Sequence, residues 1–298
     1  MSHPMSAELT RSLENSKHLR NDAHLEAMPV VPRAGVLQPL SIDQITVDGG
    51  FWGTRQRLNA DTMIPHCASW IDRVGAVNNF LAAAQSRLPS DRMGREFADS
   101  DVYKLLEAVS WELAREESVA LRREYVALVA IVSAAQEADG YINTNFGRPG
   151  QQPRYSDLED GHELYCVGHL IQAGVASARS GLGDELLDIA VKAADHVCRE
   201  FGPGARNGVC GHPEIETALM ELGRLKNEQK YCDQARLFLE RRGNGTLVPS
   251  DFGPQYFQDN CGVRDRDAFE GHAVRALSLA AGKHDSRSVA NGEVIYCP

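Results

Sequence analysis

The sequence GHELYCVGHLIQAGVASARSGLGDELLDIAVKAADHVCREF, residues 161–201, predicts two successive α-helices. Residues 164–180 carry apolar side chains at helical spacing, and residues 183–201 repeat the pattern with leucine, isoleucine, alanine and valine along one face. Helices this close together in a chain usually fold back on each other as a hairpin. Neighbouring segments should therefore supply further helices that cover the remaining apolar surface.

Helical patterns continue on both sides of this hairpin. A helix capped by Asp99 or Ser100 precedes it. The other predicted helical segments are residues 54–70, 79–84, 121–138, 214–225, 230–241 and 272–281. Strand signals after residue 50 are weak, whereas residues 36–47 look extended. The sequence thus predicts an all-α fold of about eight helices, with a short extended N-terminal segment.

The composition is that of an ordinary globular protein with an acidic balance. The 298 residues contain 31 Lys and Arg against 41 Asp and Glu, a net charge of −10 without a concentrated basic stretch, which argues against nucleic acid and anionic membranes as partners. No apolar run is long enough to span a membrane, and residues 1–28 lack the apolar core of a signal peptide. The cysteines are scattered without a CxxC pair, as in proteins with reduced thiols. We therefore expect a cytoplasmic protein.

Four of the 10 histidines directly follow a glycine, which is more than chance would give. They are His162, His169, His212 and His272, and each is predicted to stand at or just inside a helix start. His162, His212 and His272 are spaced by about the length of one or two helical hairpins. In a fold that repeats hairpins around an axis, these three would meet in one pocket, with His169 packing nearby. The alternative is that each is a capping or core histidine bonded to a backbone carbonyl.

Glutamates accompany these histidines at Glu163, Glu214, Glu216 and Glu270. Paired carboxylates are the reactive groups of sugar hydrolysis, but carboxylates at helix starts also interact favourably with the helix dipole. Both interpretations stay open on the residues alone. Zinc binding by the histidines has no support from an HExxH or CxxC pattern, and the sequence contains no phosphate-binding loop or GxSxG motif.

Longer motifs occur in a fixed order between about residues 36 and 282. They include FW at 51–52, NF at 79–80, DSDVYK at 99–104, DGYIN at 139–143, HELYC at 162–166, GHPEIE at 211–216 and GHAVR at 271–275. This series resembles the catalytic domain of glycoside hydrolase family 127, the β-L-arabinofuranosidases. The resemblance implies an (α/α)6 barrel, a toroid of six helical hairpins, and retaining hydrolysis of terminal β-L-arabinofuranosides.

The resemblance also implies roles for individual residues. In the family, the residues matching His162, His212 and His272 line the sugar pocket. A glutamate in a Gly-Glu context acts as general acid/base further along, and a zinc site of one glutamate and three cysteines follows, one cysteine being the nucleophile. Gly292-Glu293 has the Gly-Glu context, but it follows His272 far too closely to match. We therefore assign no catalytic residue, and we expect no zinc or other cofactor in this chain.

The motifs divide the chain into a disordered tail (1–30), a partial catalytic domain (31–282) and a divergent C-terminal tail (283–298). This division predicts a glycosidase-like protein truncated before the catalytic glutamate and the zinc-bound cysteine. The alternative is a non-catalytic fragment that acts as a sugar-binding or interaction module. The expected partner is an arabinofuranoside or a related glycan, and the open edge of an incomplete toroid predicts self-association.

Overall fold

The structure is a computed structural model that describes residues 27–29 and 39–287, with side chains up to Lys283. Most of the two predicted tails, together with Glu293 and Cys297, lies outside the described residues. Within the described part, the chain forms nine helices and no β-strand, and none of these helices is long and apolar enough to cross a membrane. The first helix, α1, is continuous through Gly50–Leu58, a π-helical turn Asn59–Met63 and Ile64–Arg73. The others are α2 (Ala76–Ala84), α3 (Ala98–Arg115), α4 (Val119–Ala135), α5 (Glu163–Arg179), α6 (Glu185–Phe201), α7 (Ile215–Lys226), α8 (Gln229–Arg241) and α9 (Ala273–Arg287).

The helices alternate between two rows. Helices α1, α3, α5, α7 and α9 follow one another side by side in an inner row. Helices α2, α4, α6 and α8 form an outer row, and each outer helix packs on an inner neighbour. Successive helical hairpins in this arrangement are those of a helical toroid of the (α/α)6 type, so the predicted all-α class is confirmed.

The predicted hairpin of residues 161–201 forms the centre of the core. Helix α5 is buried on almost every side because α3, α6 and α7 all pack against it. Its fully buried side chains include Leu164, Leu170 and Ile171. Close contact with α6 requires a small residue at Gly174, where a Cβ atom would lie 2.7 Å from the Cβ of Ala190. Truncating one of the buried leucines to alanine would destabilise the fold by about 2–5 kcal/mol.

The start of α3 differs from the prediction that Asp99 or Ser100 caps it. The helix begins at Ala98, with Phe97 at the N-cap position, and Asp99 lies buried within the first turn. The Asp99 carboxylate accepts hydrogen bonds from the backbone N–H and the hydroxyl of Thr144. The carboxylate therefore fastens the loop after α4 onto α3 instead of capping its own helix.

Two further expectations need correction. The segment before α1 is not extended throughout, because Ile42–Gln44 form a 3-10 turn in which Ser41 donates its backbone N–H to the Gln44 side chain at 3.1 Å. His169 is not at a helix start but in the middle of α5. Its preceding residue, Gly168, is small because a Cβ there would lie 2.9 Å from the backbone nitrogen of Ile215, at the start of α7.

Candidate functional site

Three of the four Gly-His histidines meet at one end of the inner row. His162 is the residue before α5, His212 lies shortly before α7, and His272 directly precedes α9. The ring centroids of His162 and His212 are 6.0 Å apart, and those of His212 and His272 are 6.1 Å apart. The structure therefore brings together side chains that are far apart in the sequence, as the recurrence of helical hairpins predicts.

The glycines before these histidines allow neighbouring loops to pack directly against the backbone. A Cβ atom at Gly211 would lie 1.9 Å from the carbonyl oxygen of Glu159. One at Gly271 would lie 2.0 Å from the carbonyl oxygen of Gln255, and Gly271 also has a φ of +69°. Any larger residue would push these loops apart. The Gly-His pairs thus serve the approach of one loop to the next, which in turn fixes where each imidazole lies.

Arg242, directly after α8, links the loops that precede His212 and His272. The guanidinium is fully buried and donates to the carbonyl oxygens of Cys210 and Phe257, the latter at 2.8 Å. The Glu216 carboxylate lies 3.6 Å away and balances part of its charge. One side chain therefore links the segment before His212 to the 3-10 turn Pro254–Phe257, which precedes His272.

Aromatic rings surround the three imidazoles. The Tyr165 ring lies 4.5 Å from that of His212 and 5.5 Å from that of His162, measured between centroids. Tyr256 lies 5.6 Å from His272 in an edge-to-face arrangement. The imidazoles are therefore held between rings, which restricts their rotation.

The hydrogen bonds of the three imidazoles indicate which nitrogens carry protons. The Nδ1 atoms of His162 and His212 face the carbonyl oxygens of Asp160 and Pro213, the second pair at 2.9 Å. A carbonyl only accepts, so both Nδ1 atoms carry the proton and both Nε2 atoms are left as acceptors. His272 differs, because its Nδ1 accepts the backbone N–H of Arg275 at 3.4 Å and its Nε2 therefore carries the proton. The site thus offers two acceptors and one donor.

Burial keeps the first two rings neutral. Burial lowers the pKa of His162, and it lowers the pKa of His212 to about 3. The nearby guanidinium of Arg275 lowers both pKa values further. A neutral imidazole can accept a hydrogen bond at Nε2, which an imidazolium cannot do.

The glutamates next to the histidines do not form a carboxylate pair around this site. Glu163 points into the interior, where it accepts hydrogen bonds from the Tyr141 hydroxyl and from the backbone N–H of Tyr155 at 2.7 Å. Glu216 accepts the N–H of Glu214 at 3.0 Å, as expected of a carboxylate at a helix start. Glu270 is exposed and accepts from Asn260.

Glu214 is the exception, because it lies next to one of the Gly-His histidines, His169. Its Oε1 atom is 3.7 Å from Nδ1 of His169, beyond hydrogen-bond distance, and that nitrogen is buried without a partner. Burial, with a smaller contribution from Glu216, raises the pKa of Glu214 to about 7. The carboxyl group can therefore gain or lose a proton near neutral pH.

The described residues do not fit a zinc centre. They contain no group of three or more His, Cys, Asp or Glu side chains placed to hold a metal ion. The cysteine nearest the histidines in sequence, Cys210, is a buried thiol whose pKa is raised to about 11 by burial.

Sequence reasoning did not identify the groups that surround the histidines. Tyr165 and Tyr256 pack against the imidazoles, Lys104 contacts the Tyr165 hydroxyl, and Arg275 packs between the rings of Tyr256 and Phe257. Only Tyr165 carried a usable signal, since it lies one helical turn after His162 and one turn before His169.

Comparison with known proteins extends the resemblance over most of the chain. The β-L-arabinofuranosidase GH127 catalytic domain matches residues 44–296. A non-reducing end β-L-arabinofuranosidase from Bifidobacterium longum subsp. longum is 32% identical over an aligned length of 281 residues. The match covers 80% of this chain and 42% of that protein.

Solved structures agree with this match. A GH127 β-L-arabinofuranosidase from Geobacillus stearothermophilus T6 superposes with a TM-score of 0.72 at 29% identity, covering 82% of this chain and 44% of its own. A second GH127 β-arabinofuranosidase superposes with a TM-score of 0.75 at 32% identity, covering 90% of this chain and 42% of its own. The chain thus spans less than half the length of these relatives. On the family match and the shared fold, this chain belongs to glycoside hydrolase family 127.

Proposed function

We propose that this chain functions in the retaining hydrolysis of terminal β-L-arabinofuranosides by providing the part of the pocket that binds the sugar. The observation that carries the proposal is the meeting of His162, His212 and His272 within about one sugar width. The relative from Bifidobacterium longum is named for action on this sugar. The three imidazoles would bind hydroxyl groups and orient the ring, which contributes to catalysis through positioning.

The hydrogen-bonding pattern supports a neutral, hydroxyl-rich ligand. Each sugar hydroxyl can donate one hydrogen bond and accept others, so it can satisfy the Nε2 acceptors of His162 and His212 and the Nε2 donor of His272. Removing one such contact typically weakens binding by about tenfold or more.

Calorimetric titration with methyl β-L-arabinofuranoside tests the proposal. We expect the chain to bind this glycoside and expect His212→Ala to bind at least about tenfold more weakly. His66→Ala is the matched control, because His66 is exposed on α1, away from the inner-row helix starts. Equal affinities for the wild type and His212→Ala, or no binding by the wild type, would contradict the proposed sugar site.

The alternative function is sugar binding without hydrolysis. It is favoured by the engagement of Glu163 and Glu216 in hydrogen bonds with other protein groups, which leaves these carboxylates as structural elements. Incubation with an aryl β-L-arabinofuranoside distinguishes the two functions. Binding without appreciable release of the aryl group supports the module, whereas steady turnover supports the enzyme.

We further propose that two copies of the chain associate through the ends of the inner row. Phe51 and Trp52 at the start of α1 are 62% and 71% exposed, and Val274 and Leu277 of α9 are 56% and 60% exposed. Exposed apolar groups at both ends favour association. Sedimentation velocity should show concentration-dependent dimers that Trp52→Glu abolishes, while Val126→Glu on the outer helix α4 leaves them intact. A monomer at every concentration would exclude this interface.

Residues 31–282 are proposed to fold as one unit between flanking segments 1–30 and 283–298, which limited proteolysis would test. A cytoplasmic location is also proposed. It is supported by the six cysteines within the described residues, all of which are free thiols. Cell fractionation tests it directly.

A further inference from the structure

The Tyr165 ring lies against three of the four Gly-His histidines. Its ring lies 4.5 Å from the ring of His212 and 4.6 Å from that of His169, and 5.5 Å from that of His162. The contact with His169 joins residues four apart on α5, and the contact with His212 crosses to the loop before α7. Any rotation of the Tyr165 ring would therefore alter its packing against all three imidazoles.

A charged hydrogen bond fixes the far end of this ring. Lys104, on the inner helix α3, donates from Nζ to the Tyr165 hydroxyl at 2.8 Å. The same ammonium group donates to the Ser100 hydroxyl at 3.1 Å, one turn earlier on α3. Asp101 lies 3.9 Å away and is the nearest charged partner. The ammonium group of Lys104 thus bonds to its own helix, α3, and to the neighbouring inner helix, α5.

The hydrogen bond is made at the position where it most restricts the movement of the ring. The hydroxyl oxygen lies on the long axis of the ring, at the end opposite the Cβ atom, so fixing it restricts the swing of the ring about the Cα–Cβ bond. Rotation about the long axis is opposed by the contacts with the imidazoles. Hydrogen bonds with a charged donor are about twice as strong as neutral ones, and Lys104 is only partly exposed. Packing alone leaves such a ring more freedom, because aromatic contacts tolerate a range of angles.

We propose that Lys104 is a positioning residue for the candidate sugar site. Through its hydrogen bond to the Tyr165 hydroxyl, it sets the orientation of the Tyr165 ring and thereby the orientation of the His212 and His162 imidazoles. The consequence for sugar binding rests on the proposed function. The consequence for the imidazoles does not, since it concerns only the arrangement of this chain.

A double-mutant cycle measures the proposed coupling. Lys104→Met removes the donor but keeps most of the stem, and Tyr165→Phe removes the acceptor but keeps the ring. We expect each variant to weaken binding of methyl β-L-arabinofuranoside by about 3- to 10-fold, and the double variant to be no weaker than either single one. Additive losses would overturn the proposal, because they would show that the two groups act separately.

Nuclear magnetic resonance of the imidazole ring gives a readout that does not depend on a ligand. In Lys104→Met and in Tyr165→Phe, the ring signals of His212 should move from their wild-type positions, with unchanged thermal unfolding showing that the fold is intact. Lys226→Met, at the exposed end of α7, is the control and should leave these signals in place. Unmoved His212 signals in Lys104→Met would overturn the proposal even if the wild type binds no sugar, whereas moved signals without sugar binding would contradict only the proposed function.

Discussion

The buried carboxyl group of Glu163 should make the free energy of unfolding depend on pH. The side chain is 3% exposed and accepts hydrogen bonds from the Tyr141 hydroxyl and the Tyr155 N–H. Burial nevertheless dominates and raises its pKa from 4.5 to about 7. Glu163→Gln keeps the shape of the protonated acid and removes the titration, so the variant isolates the cost of ionising this group.

The size of the pKa change of Glu163 gives the expected effect on the free energy of unfolding. The folded state binds the Glu163 proton more tightly than the unfolded chain does, so stability falls as the pH rises from 4.5 through about 7. Each pKa unit corresponds to about 1.4 kcal/mol, which makes ionised Glu163 cost the folded state about 3 kcal/mol at high pH. Some 2–3 kcal/mol of this cost develops between about pH 5 and pH 8.

Urea unfolding of both proteins at these two pH values measures the difference. We expect Glu163→Gln to gain about 2–3 kcal/mol relative to the wild type between about pH 5 and pH 8. His169 and His212, whose pKa values are lowered to about 3, act in the opposite direction but are present in both proteins and cancel. Glu270→Gln, which removes a carboxyl group at an exposed position, is the control variant. A constant difference between the wild type and Glu163→Gln, or a relative loss at high pH, would refute the reasoning.

Three further predictions concern other parts of the structure. Glu221→Gln should lower the free energy of unfolding by about 3–5 kcal/mol in urea titrations, because the buried Glu221 carboxylate pairs with Arg179 at 2.6 Å and with Arg224. A loss below about 1 kcal/mol would show that these ion pairs are solvated. Gly211→Ala should lower both the melting temperature and the sugar affinity, because its Cβ would meet the Glu159 carbonyl oxygen at 1.9 Å, and calorimetry would contradict this by finding both unchanged. Sugar affinity should not depend on an ionisation of His212 between about pH 5 and pH 8, because burial lowers its pKa to about 3 and the ring stays neutral there. A fall in affinity centred near the ordinary histidine pKa of about 6.5 would show that the His212 ring is not buried in this way.

The helices could be predicted from the sequence because their apolar spacing is regular. Residues 164–180 and 183–201 correspond closely to α5 (Glu163–Arg179) and α6 (Glu185–Phe201). Ends were less accurate where the signal depends on a single residue. The segment 121–138 is predicted to be helical to its end, but α4 ends at Ala135. The Gln136 side chain instead donates to the carbonyl oxygens of Gly140 and Ile189.

The meeting of the histidines could also be predicted, but the groups around them could not. Spacing on the scale of a hairpin indicates which residues reach one end of a toroid, without specifying which neighbours they touch. Lys104 and Tyr165 are 61 residues apart, and their hydrogen bond depends on how α3 and α5 are rotated against each other. That rotation is set by tertiary packing, which a single sequence does not encode in any local pattern.

The separation of His162 from Glu163 shows why adjacency in sequence misleads about chemistry. His162 has a φ of 59°, which turns the chain sharply just before α5, so the imidazole faces His212 while the next carboxylate faces the interior. The two residues are nevertheless linked. Glu163 accepts the backbone N–H of Tyr155, in the loop between α4 and α5 that also carries Asp160, and the Asp160 carbonyl oxygen accepts a hydrogen bond from Nδ1 of His162. The glutamate thus helps to fix the loop that orients its neighbour, although its own carboxylate is bonded in the interior.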